Sequence, residues 1–124
     1  MAERCHTVLL VDDEEMILDL GARIIERLGH HVLAVHSCDT AYQVAEKNGE
    51  AIDLAILDYG VVAPDGETVL KRLREFNAGL KILIISGFCA SGPISELLQE
   101  QGCDFIQKPF TTAELTNKVN EMLS

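Results

Sequence analysis

Residues 7–13 read Thr-Val-Leu-Leu-Val-Asp-Asp, an apolar run that ends on two carboxylates. The same arrangement returns three times. Residues 54–57 (LAIL) run into Asp58, residues 82–85 (ILII) run into Ser86, and residues 105–107 (FIQ) lead to Lys108. Short, nearly all-apolar runs of this kind suit strands that helices cover on both faces of a parallel sheet. In an open parallel α/β sheet, ligands bind beyond the C-terminal strand ends. That edge would gather three carboxylates, one hydroxyl and one ammonium: Asp12, Asp13, Asp58, Ser86 and Lys108.

Helical patterns fill the intervals. Residues 14–28 are expected to form a helix with Ile17, Leu20, Ile24 and Leu28 on one face, acids Glu14 and Glu15 at its positive end, and Gly29 as its stop. Residues 31–35 (HVLAV) form a second strand. Ser37 or Asp39 caps a second helix, weakly apolar through Ala41, Val44 and Ala45, which stops near Asn48-Gly49. The third strand covers 53–57. Residues 59–66 (YGVVAPDG) carry Gly, Pro and Asp-Gly turn signals and read as a loop. A third helix spans about 67–76 with Val69, Leu70 and Leu73 inward, and Asn77-Ala78-Gly79 breaks it. The fourth strand covers 81–85. Pro93 opens a fourth helix that includes Leu97 and Leu98 and ends at Gly102. The fifth strand covers 103–107. Thr111-Thr112-Ala113-Glu114 matches a capping box for a last helix with Leu115, Val119 and Met122 on one face. The sum is a single α/β domain over residues 1–124, with its core at about 7–123. It is expected to be a doubly wound sheet of five parallel strands with five helices.

Composition narrows the function. The chain has 124 residues, is 48% hydrophobic, and lacks Trp, so an aliphatic core is expected. A formal net charge of −10 disfavours direct binding to nucleic acid or to an anionic membrane. No run approaches the roughly 20 apolar residues of a membrane span. Residues 1–6 lack the basic start and apolar stretch of a signal peptide, which points to the cytoplasm. Cys5, Cys38, Cys89 and Cys103 form no CxxC pair and read as reduced thiols. His6, His30, His31 and His36 lack zinc-motif spacing and read as surface residues, and Cys89 beside the pocket reads as a loop thiol.

Taken in order, these motifs resemble the receiver domain of bacterial two-component response regulators. The resemblance covers residues 7–123. It rests on Asp12-Asp13, on Asp58 with Gly66 eight residues on, on Ser86-Gly87, and on Lys108-Pro109-Phe110. Each motif alone is weak, and their joint order is specific. The resemblance implies a flavodoxin-like receiver fold with strand order 2-1-3-4-5, and Asp58 as phosphoacceptor, since a carboxylate can attack phosphorus to give an acyl phosphate. It implies Mg²⁺ as cofactor, held by Asp12, Asp13, Asp58 and the Gly60 backbone carbonyl. Lys108 would neutralise phosphoryl oxygens, usually behind a cis peptide at Pro109. Ser86 would hydrogen-bond the phosphoryl group and, with Phe105, form the switch. The implied partners are a histidine kinase or phosphotransfer domain upstream, and a downstream protein or an attached output or kinase domain. A homodimer through the fourth helix, fifth strand and last helix is also implied.

Two features depart from the commonest receiver pattern or refine it. A Met-Pro pair usually stands three and four residues after the acceptor, whereas this chain has Val61 and Val62, with Pro64 later. Ile85-Ser86-Gly87-Phe88 resembles receivers attached to hybrid sensor histidine kinases.

Rival chemistries fare worse. A pseudo-receiver, an interaction module that is not phosphorylated, typically loses an acid or the lysine, and this chain keeps both. A flavodoxin needs a hydroxyl- and glycine-rich phosphate loop after the first strand. The chain has Asp12-Asp13-Glu14-Glu15 there, which would repel phosphate. A haloacid-dehalogenase-type phosphatase needs an aspartate at position 60, where the residue is Gly60. The reading is therefore a phosphoacceptor domain that assists its own phosphorylation, and not an enzyme acting on other substrates.

Overall fold

A computed structural model describes residues 5–62, 65–87 and 92–124. Five strands, β1 (Thr7–Val11), β2 (His31–Val35), β3 (Ile52–Asp58), β4 (Lys81–Ser86) and β5 (Cys103–Gln107), form one parallel sheet in the order β2-β1-β3-β4-β5. The helices are α1 (Glu15–Arg27), α2 (Cys38–Asn48), α3 (Tyr59–Val62), α4 (Gly66–Phe76), α5 (Pro93–Leu97) and α6 (Thr112–Leu123), with a 3₁₀ turn at Gly49–Ala51. Strand order and direction are as expected.

The period of two along each strand splits the core into two layers. Leu9, Val11, Ala55, Leu57, Ile82 and Ile84 pack with Ala41 and Ala45 of α2, Val69, Leu70 and Leu73 of α4, and Ile94 and Leu97 of α5. Val8, Leu10, Leu54, Ile56, Leu83 and Ile85 face the other way, onto Leu18, Ile24 and Ile25 of α1 and Leu115, Val119 and Met122 of α6. Strands β1, β3 and β4 are sandwiched and almost wholly buried, which is why they are apolar throughout.

Local signals act as the sequence predicts at several ends. Ser37, not Asp39, caps α2 by accepting from Thr40 N. Gly29, at φ 91°, takes the left-handed turn after α1. Thr111 and Glu114 close both arms of the capping box, with Glu114 N donating to Thr111 Oγ1 at 3.0 Å and Thr111 N donating to Glu114 Oε1 at 2.8 Å.

Four expectations are corrected. Residues 59–62 are not loop but the short helix α3, which buries Val62 and makes six helices instead of five. In α1 the sheet-facing stripe is Leu18, Gly21, Ile24 and Ile25, while Leu20 is 42% exposed. Leu18 and Leu20 stand about 200° apart on a helix, so seating Leu18 turns Leu20 outward. Gly21 allows the close approach, because a Cβ there would come within 2.9 Å of Leu10 Cδ2. The helix opened by Pro93 stops at Leu97, well before Gly102, and residues 98–102 continue as turns. Strands β3 and β4 run one residue further, to Asp58 and Ser86, so both site residues are strand residues. Pro64, Phe88 and Cys89 lie outside the described residues.

Candidate functional site

The sheet's C-terminal edge brings the five residues together. Asp12 follows β1, and its amide donates to Val35 O of β2 at 3.2 Å. Its Oδ1 accepts from Glu14 N at 2.9 Å, an Asx turn that leads the chain into α1. Asp58 ends β3 and lies beside Ile85 in register, so Ser86 is the next residue on the neighbouring strand. Ser86 is 2% exposed, and its carbonyl accepts from Lys108 N at 2.7 Å, which ties the end of β4 to the loop after β5. The Lys108-Pro109 peptide is cis.

Lys108 is the hub. Its Nζ donates to Asp58 Oδ1 at 2.9 Å, to Asp12 Oδ2 at 3.2 Å and to Glu14 Oε1 at 3.4 Å. Burial pulls the ammonium toward neutrality, but hydrogen bonds and charges from Asp58 and Asp12 outweigh it and raise its affinity for the proton. Desolvation raises the Asp12 carboxyl above the ordinary carboxylate range, with the Asp58 charge adding to it. The Glu14 amide and Lys108 act against that rise.

Carboxylate oxygens of Asp12, Asp13 and Asp58 all lie within 4.8 Å of one another. Two unit charges at about that separation repel by roughly 3.5 kcal/mol at an effective dielectric of 20. Lys108 carries one positive charge against these three, so the trio fits a divalent cation that prefers oxygen donors. Asp13 is exposed. Gly60 is also exposed, and a Cβ there would stand 3.1 Å from Asp58 Oδ2, so the main chain of α3 passes close to the Asp58 carboxylate.

The remaining candidates sit apart from this pocket. Phe105 pairs with Ile84 in register and packs, partly buried, against the core layer under α2, α4 and α5. His6 lies at the opposite end of the sheet, 3.3 Å from Asp53, with its amide donating to His30 Nδ1 at 3.1 Å. His36 pairs with Glu15 at 3.1 Å. Among the described residues no histidine joins a metal-ligating group. Cys5, Cys38 and Cys103 are free thiols.

One participant escapes the sequence reading. Glu14 reads there as a helix N-terminal acid, whereas its side chain reaches Lys108. Its only sequence signal is adjacency to Asp12-Asp13, and that does not say which way the side chain turns.

A doubly wound parallel sheet with an acidic, cation-ready pocket and one lysine at its C-terminal edge defines the class. Within it, the chain belongs to the response regulator receiver domain family, whose model matches residues 8–120. It is 31% identical over 117 residues to the sensor kinase CckA of Brucella abortus (strain 2308), covering 94% of this chain but 12% of that protein. It is 28% identical over 120 residues to the chemotaxis protein CheY of Bacillus subtilis (strain 168), covering 96% of this chain and 98% of that one. The crystal structure of the receiver domain from the hybrid histidine kinase CckA superposes with a TM-score of 0.80 at 30% identity, covering 95% of this chain and 99% of that domain. No helix among the described residues is long and apolar enough to cross a membrane.

Proposed function

We propose that this domain is the phosphoacceptor of a two-component phosphorelay and that Asp58 takes the phosphoryl group. The observation that carries the reading is Lys108 Nζ at 2.9 Å from Asp58 Oδ1, beside a carboxylate trio that suits Mg²⁺. A phosphohistidine of a histidine kinase or phosphotransfer domain is the donor. An Asp58 oxygen attacks phosphorus in line, the P–O bond forms, and the P–N bond breaks. The imidazole nitrogen leaves with the electron pair and takes up a proton. Bound Mg²⁺, held by Asp12, Asp13, Asp58 and the Gly60 carbonyl, would supply positive charge to the phosphoryl oxygens. Lys108 offers them a second, fixed cation, so the protein acts through positioning and electrostatics. Water later attacks the phosphorus, releases inorganic phosphate and restores the Asp58 carboxylate.

That Ser86 would meet a phosphoryl oxygen is supported by its position on β4, next to Ile85, the register partner of Asp58. We assign the switch to Ser86 and Phe105, which stand on adjacent strands, β4 and β5. The added charge biases a two-state equilibrium read on the α5–β5–α6 face, by a separate partner, an attached output or kinase domain, or a second copy. We place the domain, with its core at about residues 7–123, in the cytoplasm, where its donor would be. The pseudo-receiver alternative lacks support from the site, because every acid and the lysine converge.

The test is acetyl phosphate with Mg²⁺ on wild type and Asp58→Asn, read by intact mass in mild acid. A phosphoryl adduct on wild type alone is expected. No adduct on wild type, together with no Mg²⁺ binding, would overturn the reading in favour of the interaction module.

A further inference from the structure

Lys108 has three N–H donors, and three carboxylates take them. The three pairs are not equivalent. The side chains of Asp12 and Asp58 are 1% and 11% exposed, and they lie 3.2 Å and 2.9 Å from Nζ. Glu14 is 62% exposed, lies furthest at 3.4 Å, and stands outside the carboxylate trio. A phosphoryl group on Asp58 brings three acceptor oxygens to the same ammonium. The donor that Asp58 held can follow onto that group, a second phosphoryl contact needs a further donor, and the pair that water replaces at least cost is the one at the mouth.

We propose that Glu14 is a positioning residue: its carboxylate competes with incoming phosphoryl oxygens for Lys108 Nζ and so sets how readily Asp58 is charged. This rests on the phosphoacceptor reading of Asp58. In the resting state Glu14 holds the ammonium toward the loop between β1 and α1. On phosphoryl arrival Glu14 is displaced into solvent, and Lys108 keeps its buried pair with Asp12 while its other donors turn to the phosphoryl group. Removing the competitor leaves one Lys108 donor uncommitted.

The fold does not depend on this side chain. Glu14 caps α1 through its backbone, its carbonyl accepting from Ile17 N and Leu18 N at 3.1 Å each, and the side chain makes no cap bond. The adjacent Glu15 supplies an internal control. It carries the same charge in the same turn but pairs with His36 instead of Lys108.

The experiment measures the acetyl phosphate concentration that half-saturates phosphorylation of the whole chain at saturating Mg²⁺, with maximal rate and melting temperature followed in parallel. Exposed ion pairs are weak, so Glu14→Gln is expected to lower half-saturation between about 1.4- and fivefold. Glu15→Gln is expected to leave it unmoved. Glu14→Asp keeps the charge but is one methylene shorter, so it is expected to shift in the Glu14→Gln direction. An equal shift in Glu15→Gln would mean that bulk charge acts, not the contact, and would overturn the proposal. So would an unmoved Glu14→Gln, or a Glu14→Asp identical to wild type. These failures differ from that of the phosphoacceptor reading, which shows itself as no adduct on wild type.

Discussion

Replacing Asp13 by Asn separates what the acidic trio does for function from what it does to stability. Asp13 has carboxylate oxygens within 4.8 Å of both Asp12 and Asp58, yet it makes no pair with Lys108 among the described contacts. Removing its charge deletes two repulsions and leaves the lysine's bonds in place. Asp13 is exposed, so the water limit applies: about 0.9 kcal/mol per pair at that separation. Screening at physiological ionic strength, with a Debye length of about 8 Å, cuts the sum of about 1.7 kcal/mol to near 1 kcal/mol. For a domain of this length that corresponds to a melting temperature about 3–5 °C higher. In EDTA, Asp13→Asn is therefore expected to be more stable than wild type. Saturating Mg²⁺ reverses the order. At a concentration of about 100 times its dissociation constant, a ligand of the native state adds roughly 2.7 kcal/mol. Wild type receives that gain, and the variant receives little of it. Thermal or urea unfolding with and without Mg²⁺ reads both arms. A variant less stable than wild type in EDTA would refute the repulsion argument. Equal stabilisation of both proteins by Mg²⁺ would refute Asp13 as a ligand.

Asp12→Asn tests the titration of the buried carboxyl. Desolvation raises its folded pKa above the ordinary 3.8, so the folded chain binds this proton more tightly than the unfolded chain does. Wild-type stability at neutral pH is lowered by keeping Asp12 ionised, and it recovers as pH falls through the raised value toward 3.8. The Asn variant keeps an acceptor for Glu14 N. Its urea midpoint in EDTA is expected to exceed wild type at neutral pH, with the gap closing on acidification. Thr111→Ala removes the side-chain arm of the capping box, leaving the residue-111 amide free to donate to Glu114, and is expected to cost about 1 kcal/mol by urea denaturation, with Mg²⁺ affinity unchanged. Ile84→Ala empties a fully buried site in the layer under α4 and is expected to cost about 2–5 kcal/mol, read by the same midpoint shift.

Much of this molecule is legible in its sequence, because the signals are local. A strand buried on both faces must be apolar along its length, so β1, β3 and β4 announce themselves as runs. A hydroxyl three residues before a glutamate marks the start of α6, since capping involves only neighbouring amides. The five polar residues of the site are visible because each interrupts or follows an apolar run. Short right-handed crossovers make the sheet doubly wound, and its strand order came with the family resemblance.

What the sequence leaves open depends on how elements dock. Leu18 and Leu20 are chemically identical, and only the seating of α1 on Leu10 decides that Leu18 is buried and Leu20 exposed. The helix α3 hides in a Gly- and Val-bearing stretch without periodic pattern, and burial of Val62 under the sheet edge makes it. Glu14 is one of several acids in a row, and it becomes Lys108's third partner only because residues 94 positions apart meet at one strand edge. Residue types and their places at strand ends were determined by the sequence alone, through the period of two and the demand that buried strands be apolar. The direction in which each side chain turns, and hence the choice of Lys108's partners and the crowding of three carboxylates, was decided by tertiary structure, because those distances are set by the packing of separate elements and not by the chain between them.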